Sequence, residues 1–146
     1  MTEEQQKLAD LLTELYCQPH DLDSATVELV RARIMGELVS GQWAMVTADG
    51  GKLWGWISWY CVDDEVFEIL RAGRQDELLI EGRVIDMRNG DNLWLATAVV
   101  APWAPDSTYR NLSALAKERN KHCKRVGATL IKRDGREVTH VREMNQ

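Results

Sequence analysis

His20 is the residue of this 146-residue chain best placed by the sequence to accept a proton. It follows Cys17-Gln18-Pro19, just after the first predicted helix, and an imidazole there could act as general base for an attacking amine. The alternative is a corner histidine that caps a helix or solvates a turn. Asp21, Asp23 or Asp91 could orient the ring, although Asp91 is predicted as a turn residue.

The thiols and the remaining histidines predict no metal site. The three cysteines are far apart and odd in number, which indicates reduced thiols in a cytoplasm-like compartment; they are Cys17, Cys61 and Cys123. His122 and His140 have no ligand spacing with a cysteine or an acid. Cys123 and His122 are predicted on a helix, where successive side chains do not face each other. We therefore expect neither a metal nor a tightly bound cofactor.

Charge is distributed unevenly along the chain. Residues 1–109 contain 8 Lys+Arg against 19 Asp+Glu, whereas residues 110–146 contain 10 against 4. This basic quarter could receive the phosphates of coenzyme A, an acidic carrier protein or nucleic acid, and the last is disfavoured by a pI near 5.2. The alternative is a solvated face with ion pairs to the acidic part. Lys124 and Arg125 are the cations we expect to contact a cofactor.

The helices and strands that must position these groups are predicted from two spacings of apolar residues, the helical spacing and the alternation of a strand. Leucines at helical spacing predict a helix from Thr2 to Pro19, and a second helix is predicted from Asp23–Ser24 to Gly41. Later segments read in order as a strand hairpin, a helical piece, a buried strand, a helix and a final hairpin. Their predicted ranges are 42–47, 52–61, 63–81, 93–101, 106 to about 121 or beyond, 128–133 and 136–142. Residues 83–87 fit either a short strand or the end of the preceding helix.

Composition and element order indicate one α+β domain over residues 1–146, with a mostly antiparallel sheet and helices on both faces. No apolar run is long enough to span a membrane, and the N-terminus lacks the pattern of a signal peptide. All six tryptophans lie between residues 43 and 103, where they are predicted to pack in the core. Tyr109 could be a general acid, but packing is the commoner role for a tyrosine there.

The element order resembles the GNAT acyltransferase superfamily, whose usual ending is similar to Lys124-Arg125-Val126-Gly127-Ala128 followed by a hairpin. A closer resemblance is to the RTX toxin-activating lysine acyltransferases. It is carried by Ser58-Trp59, Gly90-Asp91-x-x-Trp94 and Ala101-Pro102-Trp103, with His20 at the position of that family's catalytic histidine. In the family this histidine pairs with an aspartate just before Ala-Pro. The corresponding position here is Thr97 or Ala98, because the segment is one residue longer.

The resemblance implies transfer of an acyl group from a thioester to an amine, with acyl-CoA or acyl carrier protein as donor. His20 would be the base, and backbone N–H groups near Val100 would polarise the thioester carbonyl. The glycine-rich phosphate loop of GNAT enzymes is absent, and toxin activators lack a standard loop too. The alternative is a degenerate, non-catalytic protein similar to small GNAT-like proteins of tailed phages. Such a protein would be a virion, assembly or host-interaction module, so a protein partner is expected either way.

Overall fold

The computed structural model describes residues 1–74, 87–131 and 136–144. The chain divides into two compact units, which are described separately below. Unit 1 comprises Met1–Ser58 and Thr97–Ala116, and unit 2 comprises Trp59–Ala96 and Lys117–Gln146. The expectation of a single domain stays a prediction.

The described residues form four helices and five strands, which confirms the predicted mixed α+β class. The helices are α1 (Glu3–Cys17), α2 (Ser24–Ser40), α3 (Asp64–Arg71) and α4 (Thr108–Arg119). The strands are β1 (Trp43–Thr47), β2 (Leu53–Val62), β3 (Asn92–Val100), β4 (Arg125–Ile131) and β5 (Glu137–Glu143). The order of the strands in the sheet is β1-β2-β3-β4-β5.

Pairing along the sheet is antiparallel in two of the three pairs whose register is described. β1 and β2 are antiparallel, with Trp43 opposite Ser58, and β4 and β5 are antiparallel along their whole length. β3 and β4 are parallel, and their paired residues are 92–95 with 125–128. The first and last pairs are the two hairpins that the sequence predicts.

Local sequence determines where the two helices of unit 1 begin and end. Thr2 and Gln5 form the predicted capping box, in which the Thr2 hydroxyl accepts from the Gln5 N–H and the Gln5 side chain accepts from the Thr2 N–H. The Asp23 carboxylate accepts from the Thr26 N–H at the start of α2. Gly41 ends α2 with φ 76°, a conformation that glycine adopts without steric cost.

Within unit 1, helices pack on both faces of β2. A Cβ atom on Gly55 would lie 2.8 Å from side-chain atoms of Leu112 and Thr108, so glycine permits the close approach of α4. Residues of opposite parity face α2, and Ser58 donates a hydrogen bond to Glu37. The alternating faces of a strand therefore contact different helices, as the apolar character of both faces predicted.

Unit 2 is built around an aromatic pair. Phe67 of α3 meets Trp94 of β3 edge to face, with 5.8 Å between ring centroids. A Cβ atom on Gly127 would lie 2.7 Å from the Trp94 ring. The strand was predicted to begin at residue 128, whereas β4 begins at Arg125. The helix α4 stops at Arg119, and Gly127 lies inside β4, where the absence of a side chain makes room for Trp94.

Some predicted elements fall outside the described residues. These are the helical piece between residues 75 and 81, most of 83–87, and the turn at residues 132–135. In the part of the chain that the structure describes, no helix is both long enough and apolar enough to cross a membrane.

Candidate functional site

His20 lies on the surface one turn beyond the end of α1. Its backbone N–H donates to the carbonyl of Cys17 at 2.9 Å, which extends the helix end by a tight turn. The imidazole lies beside the ring of Tyr16, with 6.4 Å between centroids. Tyr16 in turn has the Arg33 guanidinium 5.4 Å from its ring centre. Among the described residues of unit 1 no carboxylate is hydrogen-bonded to the His20 ring, so Asp21 and Asp23 do not orient it here; Asp91 belongs to unit 2.

A buried carboxylate of unit 1 lies against the strand segment where the family has its aspartate. Glu37, on α2, is 4% exposed and its oxygens accept from the hydroxyls of Ser58 and Thr97. The Thr97 hydroxyl lies 2.6 Å from Oε1, and the Ser58 hydroxyl 3.0 Å from the same atom. The Ser58 oxygen also accepts from the Thr97 N–H at 3.2 Å. We call Glu37, Ser58 and Thr97 the hydroxyl–carboxylate cluster.

This cluster was not anticipated from the sequence, although a signal for it exists. Helical spacing predicts a buried face of α2 from Val27, Val30, Ile34 and Leu38; Val27 is half-buried and the other three are buried. Glu37 lies three residues after Ile34 and seven after Val30, which places it on the same face. A carboxylate on an apolar face must find partners, because an uncompensated buried charge is costly.

The two cations expected to hold a cofactor are engaged within unit 2. Lys124 Nζ lies 2.8 Å from Asp64 Oδ1 and 3.6 Å from Asp91 Oδ2, and its side chain is 46% exposed. The hydrogen bond from Lys124, with a second from Asn92, holds the pKa of Asp64 below its ordinary value. The same partner, Asp64, raises the pKa of Lys124.

Arg125 is more deeply enclosed than Lys124. Its Nε donates to Asn92 Oδ1 at 2.7 Å and its Nη1 to Glu68 Oε1 at 3.1 Å. The guanidinium carbon lies 4.0 Å from the centre of the Phe67 ring, and the side chain is 17% exposed. We call Asp64, Glu68, Asn92, Lys124 and Arg125 the ion-pair network. The network makes Arg125 a structural partner of α3 and leaves Lys124 as the accessible cation of the two.

Around Val100, hydrogen bonds within unit 1 occupy backbone N–H groups of the chain. Val100 ends β3 and is 41% exposed. The N–H of Ala101 donates to Trp54 and that of Ala104 donates back to Ala101, so neither is available to a phosphate. Trp103 donates from its indole to the Leu53 carbonyl at 2.8 Å. Burial raises the pKa of the Tyr109 phenol, at the start of α4, which keeps its hydroxyl protonated at neutral pH.

Three groups that the sequence analysis judged unrelated come together in unit 2. Donor atoms of Cys61, His122 and Cys123 all lie within 4.8 Å of one another. They meet because α4 ends at Arg119, so that His122 and Cys123 occupy a turn and not a helix. Burial, followed by the nearby Cys61, raises the pKa of the Cys123 thiol to about 12, so it is a poor nucleophile in this state.

Comparison with solved structures defines the class of fold. The chain is similar to the GNAT-like decarboxylase GphF, solved in complex with isobutyryl-CoA, at 14% identity and a TM-score of 0.53. That match covers 86% of this chain and 60% of the decarboxylase, so the chain spans less than two thirds of its length. An N-acetyltransferase from Staphylococcus aureus Mu50 matches at 16% identity and a TM-score of 0.46, over 87% of this chain and 76% of the enzyme. The fold is GNAT-like.

The family is identified by a match that extends over nearly the whole sequence. The model of the RTX toxin acyltransferase family (HlyC) matches residues 2–145, and the chain belongs to this family. No curated protein matches the chain. The family supports an acyltransferase-type function. Family and fold confirm the resemblance inferred from the Ser-Trp, Gly-Asp-x-x-Trp and Ala-Pro-aromatic motifs.

Proposed function

We propose that this protein transfers an acyl group from a thioester donor to an amino group of a protein substrate, with His20 as the general base. The observation that carries the proposal is the family match over residues 2–145, which includes His20 and all three motifs. The accessibility of the ring supports the assignment, because a base must reach the amine of a second macromolecule.

The proposed reaction conserves bonds and protons. The amine nitrogen attacks the thioester carbonyl carbon, and its N–H proton passes to the unprotonated nitrogen of His20. The C–N bond forms as the C–S bond breaks, and the sulfur of the leaving thiol takes up a proton. Tyr109, a possible general acid by its position in the sequence, is the candidate donor for that proton. Its own proton is then replaced from solvent or from the imidazolium.

An acyl carrier protein is the donor that the site favours over acyl-CoA. The bonded N–H groups of Ala101 and Ala104 offer no cradle for the pyrophosphate of coenzyme A. Lys124 is 46% exposed and could exchange Asp64 for a phosphate or for a carboxylate of an acidic carrier protein. Backbone N–H groups near Val100, other than those of Ala101 and Ala104, remain the proposed site for polarising the thioester carbonyl. Arg125 is retained as a weaker candidate for donor binding.

The experiment combines acyl donors of several chain lengths, on coenzyme A and on acyl carrier protein, with a library of lysine-containing peptides. Mass spectrometry measures acylated peptide, and thiol release measures donor consumption. We expect transfer with the wild-type chain, loss of at least about 100-fold with His20→Ala, and unchanged transfer with His140→Ala, an exposed histidine on β5. Absence of transfer from every donor would contradict the proposal and favour a non-catalytic binding role.

A further inference from the structure

We propose that Cys61, His122 and Cys123 bind a zinc ion, with the side-chain oxygen of Asn120 as the fourth ligand. This site is separate from the proposed acyl transfer, and its presence or absence would not alter that proposal. The chemistry of the donors indicates the metal. Two thiolates and an imidazole are soft and borderline ligands, which suit Zn²⁺ and do not suit Ca²⁺ or Mg²⁺.

The separations of the donor atoms are close to those of a tetrahedral zinc site. Bonds of about 2.3 Å to sulfur and about 2.0 Å to nitrogen place neighbouring ligand atoms about 3.5–3.8 Å apart. Cys123 Sγ lies 3.5 Å from His122 Nε2, and Cys61 Sγ lies 3.1 Å from Asn120 Oδ1. No pair among the two sulfurs and the imidazole exceeds 4.8 Å, so contraction by about 1 Å at most would bring these three ligands to tetrahedral separations.

The backbone of unit 2 holds the ligands in place without the ion. The N–H of Cys123 donates to the Asn120 carbonyl at 3.0 Å, which forms the turn after α4. Cys61 is held at the end of β2, where its N–H donates to Met87 and its carbonyl accepts from Gly90. A bound ion would therefore connect the end of β2 to the turn that precedes β4.

The site is mostly buried, but one ligand is exposed, so a metal ion can reach it from solvent. Cys61 and Cys123 are 1% and 0% exposed, and Asn120 is 6% exposed, so three of the four ligands are shielded from bulk water. His122 is exposed and provides the route by which an ion can enter from solvent. A metal ion can therefore enter beside the exposed imidazole, and the two buried thiols then retain it.

Titration of the reduced, metal-free chain with Co²⁺ tests the site, because thiolate ligands give cobalt an intense charge-transfer absorption. We expect one equivalent to bind, Zn²⁺ to displace it, and Zn²⁺ to raise the melting temperature. Cys61→Ser and Cys123→Ser should lose the charge-transfer band, and His122→Ala should weaken binding by at least about tenfold. Cys17→Ser, which removes a buried thiol of unit 1, is the matched control and should bind as the wild type does.

Three results would overturn the proposal. One is the absence of a charge-transfer band in the reduced wild-type chain at micromolar Co²⁺. Another is a band that survives in both Cys61→Ser and Cys123→Ser, or one that Cys17→Ser abolishes. The third is a Cys61–Cys123 disulfide as the stable state in the presence of Zn²⁺ and a mild reductant, found by peptide mapping. Because His122 is exposed, His122→Ala should fold normally and keeps the test informative even where a serine variant does not fold.

Discussion

The hydroxyl–carboxylate cluster of unit 1 and the ion-pair network of unit 2 both hold carboxylates in place, but they do so with different partners. Glu37 is buried, and its hydrogen bonds include those from the hydroxyls of Ser58 and Thr97, whereas Asp64 and Glu68 are exposed and face cations. Exposed ion pairs contribute little because water screens them, while buried polar groups left without partners are costly. The difference indicates that stability depends more on one buried carboxylate than on the larger number of surface charges.

The largest expected effect is that of Glu37→Ala. The change leaves the hydroxyls of Ser58 and Thr97 without this acceptor and leaves a void among them, so the free energy of unfolding should fall by about 2–5 kcal/mol. Urea denaturation measures it. Glu28→Ala, an exposed site on the same helix, is the control and should change stability by less than about 0.5 kcal/mol. Equal effects of the two changes would contradict the comparison.

Thr97→Asp tests whether the cluster holds one carboxylate only. Placed beside Glu37, the new aspartate brings two like charges into a buried site, and stability should fall by about 1–4 kcal/mol. Adding Glu37→Gln removes one charge and should recover much of the loss.

Arg125→Met addresses the enclosed part of the ion-pair network. The change removes hydrogen bonds to Asn92 and Glu68 and the contact with Phe67, so the free energy of unfolding should fall by about 1–3 kcal/mol. Lys121→Met, an exposed cation paired only with Glu118 among the described ion pairs, is the control. A loss as small as that of the control would show that Arg125 is available for binding a donor.

The smallest effect is expected for Asp64→Asn. The pKa of Asp64 is lowered in the folded state, so its contribution is present above the unfolded pKa and is lost as pH falls through the folded pKa. The melting temperature of the variant should therefore lie slightly below that of the wild type at neutral pH and converge with it in acid. Molar salt should also reduce the difference. A difference that persists in acid and in high salt would contradict this account, and Asp49→Asn provides an exposed control.

The sequence predicted the features that depend on local chemistry. The caps at Thr2 and Asp23, the end of α2 at Gly41 and the burial of both faces of β2 follow from neighbouring residues and are confirmed. The interpretation failed where the decisive partner is distant. The strand predicted from residue 128 begins at Arg125, and Gly127 inside it accommodates Trp94. The helix predicted to reach about Lys121 or beyond ends at Arg119.

The same limit applies to the sites. Lys124 and Arg125 could be identified as a basic pair, but only the fold brings Asp64 and Glu68 against them. Glu37 meets Ser58 and Thr97 across separations of 21 and 60 residues, which no local pattern reveals. A carboxylate on the apolar face of α2 was the available signal, and its meaning depended on knowing which hydroxyls that face contacts.

Chemical rescue of His20→Ala by free imidazole tests the proposed mechanism most directly. The rate of acyl transfer to a lysine peptide is measured while imidazole is added, with His140→Ala as the matched control. We predict that His20→Ala is nearly inactive alone, that its rate rises with imidazole concentration, and that His140→Ala does not respond. Wild-type activity in His20→Ala without imidazole would contradict the assignment of His20 as the base.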